Sequence, residues 1–448
     1  MLVDASGLAS DLSPTAPART VGYAAPPAWD GSDVHCCNSL ATVHRDLRGG
    51  ATTTRETDMS RRQISVLAAV ASVAVMMAVA PDARAAGVRA DITAGAQRGP
   101  TITALPLPPG ETSGDIISAA GPWAVGLLTD DALHQHVAIW RSEGTRWSVR
   151  DLGDFGISSP NSGLSATGVN ARGQVAIGIN TGAGMGGWMF DGATVHQLVD
   201  FAGGTDAYAR AINANGEIVG EALDETGNDF AAVWRHWWSP PMALAPTAGF
   251  DGSYAQGVDS RGEVVGGSFS NGPAPTLPVV WGRDGTPRIL PDLGMGGDLF
   301  DRNDLGRTVG QVFTASGSEA AVWDHGRLRD LGVFSDDTFS RAIGVGETGE
   351  VVGFAGTRPS SGIPLRQLVF WPGFGPTRSL LPLDLDWQDN AYAHAIVGDT
   401  VFGTSMASHG TKERPTVWTH AFAQSFVPRA NARPATAPRV VFASAGAR

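Results

Sequence analysis

From Asp206 to Trp234 the chain reads DAYARAINANGEIVG, a variable loop, and then FAAVW. Apolar and polar positions alternate from Tyr208 to Asn213, and a tight turn follows at Asn213-Ala214-Asn215-Gly216. A second strand runs from Glu217 to Gly220, and a third ends at Trp234. A period of two, punctuated by Asn and Gly, predicts antiparallel hairpins. The pattern occurs seven times. Its anchors are a glycine after a short β-branched strand (Gly126, Gly178, Gly220, Gly266, Gly310, Gly353, Gly403) and a tryptophan closing the next strand (Trp140, Trp188, Trp234, Trp281, Trp323, Trp371, Trp418). Successive tryptophans lie 48, 46, 47, 42, 48 and 47 residues apart. That period fits propeller blades and is too irregular for a stacked solenoid. The reading is an all-β, seven-bladed β-propeller of ~46-residue repeats over residues 101–428, with the seven tryptophans as scaffold.

The copies drift at the ends. Unit one has Trp123 where others have turn residues, unit six reads GVGETG, and unit seven shortens the turn to Gly398-Asp399. The intervening turns are Asn170 to Gly173, Asn213 to Gly216, Asp259 to Gly262 and Asn303 to Gly306. Ahead of the first unit, TITALPLP from Thr101 resembles the fourth strands RILPDLG and RLRDLG of later units. A lone leading fourth strand is what a closed propeller pairs with its last repeat, removing both sheet edges. The rival for that place is Ala421 to Val427.

Composition agrees with strands and turns: Gly 58 and Pro 28, with no long helical pattern after residue 85. Before it, Arg61-Arg62, the apolar run Ile64 to Ala80 and Ala83-Arg84-Ala85 predict a signal peptide over 59–85, cleaved after Ala85. Residues 1–58 then read as a non-native or disordered leader, 86–100 as a linker and 429–448 as a disordered tail. The expected location is secreted or periplasmic. Both cysteines, Cys36 and Cys37, precede the cleavage point, so the mature chain has no disulfide framework, cysteine nucleophile or thiolate metal site.

Charge narrows the partners. From Ala86 onward 25 basic residues face 36 acidic ones, and Lys412 is the only lysine of the chain. Nucleic acid is disfavoured, because its binding rests on neutralising phosphates. No basic cluster adjoins an apolar span, and no membrane span is expected in the mature chain. A monomer is expected, with an extracellular ligand or protein as partner.

The pattern A-x-G-[IV]-[ND]-x-x-G-x-V-V-G, a loop, A-x-x-W and then D-L-G resembles the HAF-type extracellular repeat, a family of exported bacterial proteins. The resemblance covers roughly 115–420. The His-Ala-Phe triplet itself is missing, its place taken by Val137-Ala138-Ile139, Ala231-Ala232-Val233 and Leu368-Val369-Phe370. It implies export and β-repeat structure, and no catalytic residue.

Candidate chemistry gathers at one end. In a four-stranded antiparallel blade the loop between strands two and three and the link to the next blade emerge together. These variable segments carry Asp130, Asp131, Asp154, Asp224, Glu225, Asp229, Asp336, Asp337, Asp386 and Asp389. Entering the first strands, acid, aromatic and long polar residues recur: Asp206, Tyr208, Arg210; Asp251, Tyr254, Gln256; Asp298, Phe300, Arg302; Asp337, Phe339, Arg341; Asp389, Tyr392, His394. They are expected either to ring the channel mouth as a site for a glycan or other polar ligand, or to form Asp-Arg pairs and wedges between blades. The candidate ligand-binding set is Tyr208, Arg210, Tyr254, Phe300, Arg302, Phe339, Arg341, Tyr392 and His394.

No catalytic or metal residue is assigned. Gly403-Thr404-Ser405-Met406-Ala407-Ser408 matches the serine segment of subtilisin-like proteases, but the other triad segments and the α/β pattern are missing. Gly266-Gly267-Ser268-Phe269-Ser270 lacks the last glycine of a nucleophile elbow. His134-Gln135-His136 is a spaced pair without further ligands in sequence. Asp224 to Asp229 falls short of a calcium loop, although calcium is the one cofactor its oxygens would suit. The expected role is a secreted binding module; the alternative is a propeller-type lyase, lactonase or glycosidase acting at the channel mouth.

Overall fold

A computed structural model describes residues 101–156, 163–180, 185–204, 206–334, 337–357, 365–372, 378–380, 391–406, 413–421 and 440–441. The expected leader, signal peptide and linker lie outside these residues. Seven antiparallel sheets form the seven blades of a β-propeller. Blade 3 is the plainest, with Ala207–Ile212 innermost, then Ile218–Leu223, Asp229–Trp234 and Met242–Leu244 outermost. The innermost strands of neighbouring blades pack against one another all the way round, from Ser118–Ala120 of blade 1 to Ala391–Val397 of blade 7 and back. The strand expected to close the ring does so: Thr101–Ala104 pairs with Glu413–Thr419 as the outer strand of blade 7. Ala421, where the rival segment begins, donates instead to the Asp399 carbonyl. Blade 5 gains a fifth strand, because Val440–Val441 pairs with Arg327–Gly332; the rest of the expected tail lies outside the described residues.

The anchor glycine has a steric cause. Six inner strands carry a β-bulge, which in blade 3 falls between Ala209 and Ala211. Beside it the Tyr208 carbonyl leans so far across the ladder that a Cβ on Gly220 would stand 1.9 Å from its oxygen. The same clash meets Gly126, Gly266, Gly310, Gly353 and Gly403, so at these six positions a side chain has no room. The tryptophans fill the seams between blades. Trp234 packs with Ala176, Met189 and Leu198 of blade 2. Its indole N–H donates to the Val199 carbonyl at 2.7 Å, and Trp140, Trp281 and Trp323 make the corresponding bond to Pro106, Ala245 and Pro291.

Blade 2 corrects the expected register. Ile177, paired with Ala166, stands where Gly220 stands in blade 3, and Gly178 follows it by one residue. The seam position of Trp234 is taken by Phe190, opposite Val175, while Trp188 sits two residues earlier and is only partly buried. Six tryptophans are therefore seam residues and one is not. Phe190 fills the apolar seam but has no N–H to donate.

At the turn end the asparagine that opens three of the turns ties two blades together. Asn213 Oδ1 accepts from the Asn215 and Glu217 amides, and its Nδ2 donates to the Asp259 carbonyl of blade 4 at 2.9 Å. Asn170 reaches the Asn213 carbonyl and Asn303 reaches the Gly346 carbonyl in the same way. The fourth residue has positive φ, from 78° at Gly173 to 97° at Gly349, which glycine adopts without strain. Unit six is thus not stretched: Gly346 to Gly349 is a turn of ordinary length whose first residue is glycine. In blade 1 Trp123 lies instead against the turn glycine Gly173 of blade 2.

Candidate functional site

The bulges set the geometry of the channel. Aligned by ladder partners, Tyr208, Tyr254, Asp298, Arg341 and Tyr392 share one level, immediately before the residue that faces the anchor glycine. The bulge residues form the next level: Thr167, Arg210, Gln256, Phe300, Ile343 and His394. Eight of the nine expected ring residues belong to the loop-end half of the inner strands, with Phe339 the outermost of them.

Arg302 does not belong with them. It pairs with Thr308 at the far end of its strand, where other blades have Ile212, Val258 or Val345. Its Nε donates to Asp259 Oδ2 at 3.2 Å, its Nη2 to Glu263 at 2.6 Å, and its Nη1 to Thr308 and the Gly306 carbonyl. Blade 4 begins its turn with Asp259, which cannot donate to blade 5 as Asn213 does to blade 4. Arg302 supplies the missing donors from the other side. Here the expected inter-blade Asp-Arg pair is real, but at the turn end and with a different aspartate.

At the mouth the acids find other partners. Asp298 accepts from the Tyr254 hydroxyl across the seam between blades 4 and 5 and from Gln311 Nε2 of its own blade, both at 2.7 Å. Burial pushes the Tyr254 phenol well up, and the neighbouring Asp298 charge adds to this. Asp337 accepts from Gln367 at 2.6 Å, Asp206 from the Met185 amide at 2.6 Å, and Glu413 from the Tyr392 hydroxyl at 3.3 Å. Asp389, Asp336 and Asp386 lie outside the described residues. Tyr208 is nearly buried, with its ring against Gly178 of blade 2. Arg210, Gln256, Phe300 and His394 are half-buried, so the bulge level meets the channel.

The sharpest electrostatics lie in blade 3. Arg210 donates to Glu221 Oε1 at 2.6 Å and stacks over Tyr208 at 5.0 Å. Asp229, at the start of the third strand, is pushed up to about 8, first by burial and then by the Glu221 charge, against a lowering pull from Arg210. Its Oδ1 is buried without a hydrogen-bond partner. Burial and the Glu221 charge thus favour the protonated form of one carboxyl beside a neighbour paired to a guanidinium. The sequence reading placed Asp229 on an acidic rim and missed Glu221, because both come from strands behind the inner one.

Other expected features resolve into local roles. Asp224 closes its own loop by accepting from Thr226 and Asn228. Ser405 is buried within a strand of blade 7, and Ser408 lies outside the described residues. His134 pairs with Asp130 and His136 with Asp151, so the two histidines do not converge on one group. At the turn end, a cleft of about 360 Å³ between blades 4 and 5 is lined by Arg261, Glu263, Arg288, Arg302, Leu305 and His325, away from the ring. No helix among the described residues is long and apolar enough to cross a membrane.

No protein-family model matches the sequence, and no curated protein matches it. Among solved structures the chain is similar to YCF48 bound to D1 peptide, at 15% identity over 73% of this chain and 99% of that one, with a TM-score of 0.44. It is similar to a streptogramin B lyase at 11% identity over 71% and 97% of the two chains, TM-score 0.45. It is also similar to AofleA from Arthrobotrys oligospora at 11% identity over 63% and 89%, TM-score 0.37.

Proposed function

We propose that this propeller is an exported binding module of the HAF-repeat type, taking a hydroxyl-rich polar ligand such as a glycan at the loop-end mouth. The observation that carries this reading is the shared bulge, which sets Thr167, Arg210, Gln256, Phe300 and His394 at one level of the channel. Guanidinium, amide and imidazole groups offer hydrogen bonds around one aromatic face, a combination that suits a sugar ring, while the Thr167 hydroxyl donates to the Ala176 carbonyl. The tyrosines above them serve as walls, since Tyr254 and Tyr392 spend their hydroxyls on Asp298 and Glu413. Phe300→Ala and His394→Ala are therefore the informative variants, because truncating nearly buried Tyr208 would chiefly open a cavity. In a glycan array followed by calorimetry, wild type is expected to bind and each variant to lose about tenfold in affinity. Binding unchanged in both variants, or mapped to the turn-end cleft, contradicts the reading.

A second reading rests on Asp229. Its protonated carboxyl beside Glu221 suits an acid-catalysed cleavage of the same ligand class. Turnover abolished by Asp229→Asn with ligand binding retained would favour an enzyme; absence of turnover with binding intact leaves the module.

A further inference from the structure

Blade 1 holds a side-chain group that lies apart from the channel residues. Glu111 opens its inner strand, His136 lies near the start of its third strand, and Asp151 lies near the end of its outer strand. His136 Nδ1 is 2.9 Å from Asp151 Oδ2 and 3.6 Å from Glu111 Oε1. One donor atom from each of the three lies within 4.8 Å of the others, the only such group among the described residues. Glu111 matters most: its side chain is 8% exposed, and its Oε2 is buried without a hydrogen-bond partner. A carboxylate oxygen withdrawn from water and left without a donor carries a desolvation cost that a cation offsets.

We propose that Glu111, His136 and Asp151 form a binding site for a first-row divalent transition ion such as zinc. One imidazole nitrogen and two carboxylate oxygens are ligands of this class, whereas calcium takes six to eight oxygens. Ligands about 2.0–2.1 Å from a tetrahedral ion stand about 3.3 Å apart. The observed 2.9 and 3.6 Å spacings bracket that figure, so small side-chain rotations complete the triangle. On ion entry the Nδ1 lone pair turns to the metal and the ring proton resides on Nε2, leaving the fourth position to water. Simple His-Asp pairing does not account for the group. His196 with Asp191 and His420 with Asp399 have the same 2.9 Å contact without a third acid converging on them.

The test is equilibrium dialysis of the chelator-treated full chain against zinc chloride, with elemental analysis, and with calcium chloride in parallel. Wild type is expected to take up one zinc per chain and to gain thermal stability from it. Glu111→Gln, His136→Gln and Asp151→Asn are each expected to weaken uptake by about tenfold or more. Asp399→Asn, which breaks an ordinary pair, should leave it unchanged. Circular dichroism checks that the variants fold, and Asp151→Asn, altering the most exposed of the three, keeps the test decisive if Glu111→Gln does not. No zinc uptake by wild type, uptake in all three site variants equal to that of wild type, or a preference for calcium that survives His136→Gln would overturn the proposal.

Discussion

The Asp229 carboxyl links protonation to stability at the scale of one side chain. Its pKa is pushed up to about 8 in the fold from an ordinary aspartate value of 3.8, so the folded protein holds a proton that the unfolded chain releases. The linkage sign is then fixed: the contribution is complete below about pH 4 and is lost as pH rises towards 8. Asn mimics the protonated form and does not titrate. The thermal midpoint of Asp229→Asn relative to wild type should therefore climb between about pH 4 and 8 and level off above. A difference that stays flat over that window would show the site to be more hydrated than its burial implies. The sequence marks Asp229 as acidic, but nothing in it says that Glu221 stands beside it. Counting the ladder outwards from the Asn213 turn sets Glu221 opposite Ala209. The bulge at Arg210 shifts the register by one, so Glu221 faces Tyr208. One extra residue, silent in the hydrophobic pattern, decides which inner-strand residue Glu221 meets.

Strands and turns were more legible than their partners. Alternation, Asn-x-x-Gly and the closing tryptophans gave the four strands of most blades, because each signal is local. Blade 2 misled for the same reason: GWMF carries a tryptophan, but the seam position falls on its phenylalanine. Arg302 misled because it continues the alternation of Asp298 and Phe300, whereas the bulge breaks that alternation between them. Its true role can be tested through the turn it supports. Arg302→Ile removes one of the four donors to the fully buried Asp259 carboxylate and leaves Glu263 without its 2.6 Å partner, and should cost about 2 kcal/mol in denaturant unfolding. Arg261, at 3.2 Å from the same oxygen, softens the loss. Adding Asp259→Asn recreates the Ile212 and Asn213 pairing of blade 3 and should recover most of it. A double variant as unstable as Arg302→Ile would separate the two residues.

At the scale of the whole molecule, seven similar sheets make a ring whose last blade is completed by one four-residue strand. Thr101–Ala104 covers Glu413–Thr419, and Leu105 adds a bond to the Pro415 carbonyl. Deleting residues 101–104 should lower the thermal midpoint and release protection first from blade 7 in hydrogen exchange, with blades 3 to 5 retained longest. Equal loss in every blade would mean that the ring opens as one unit. The Thr419 hydroxyl that meets the Thr101 carbonyl is 318 residues away in the chain. At about 5–20 residues per second, roughly 15–60 s of synthesis separates the two partners. Throughout that interval the earliest strand has no mate, and six finished blades wait beside an open gap. The seam between first and last blade is therefore a matter of timing as well as packing. It is where a second chain, emerging close by, could lend its own leading strand and leave two rings joined by exchange.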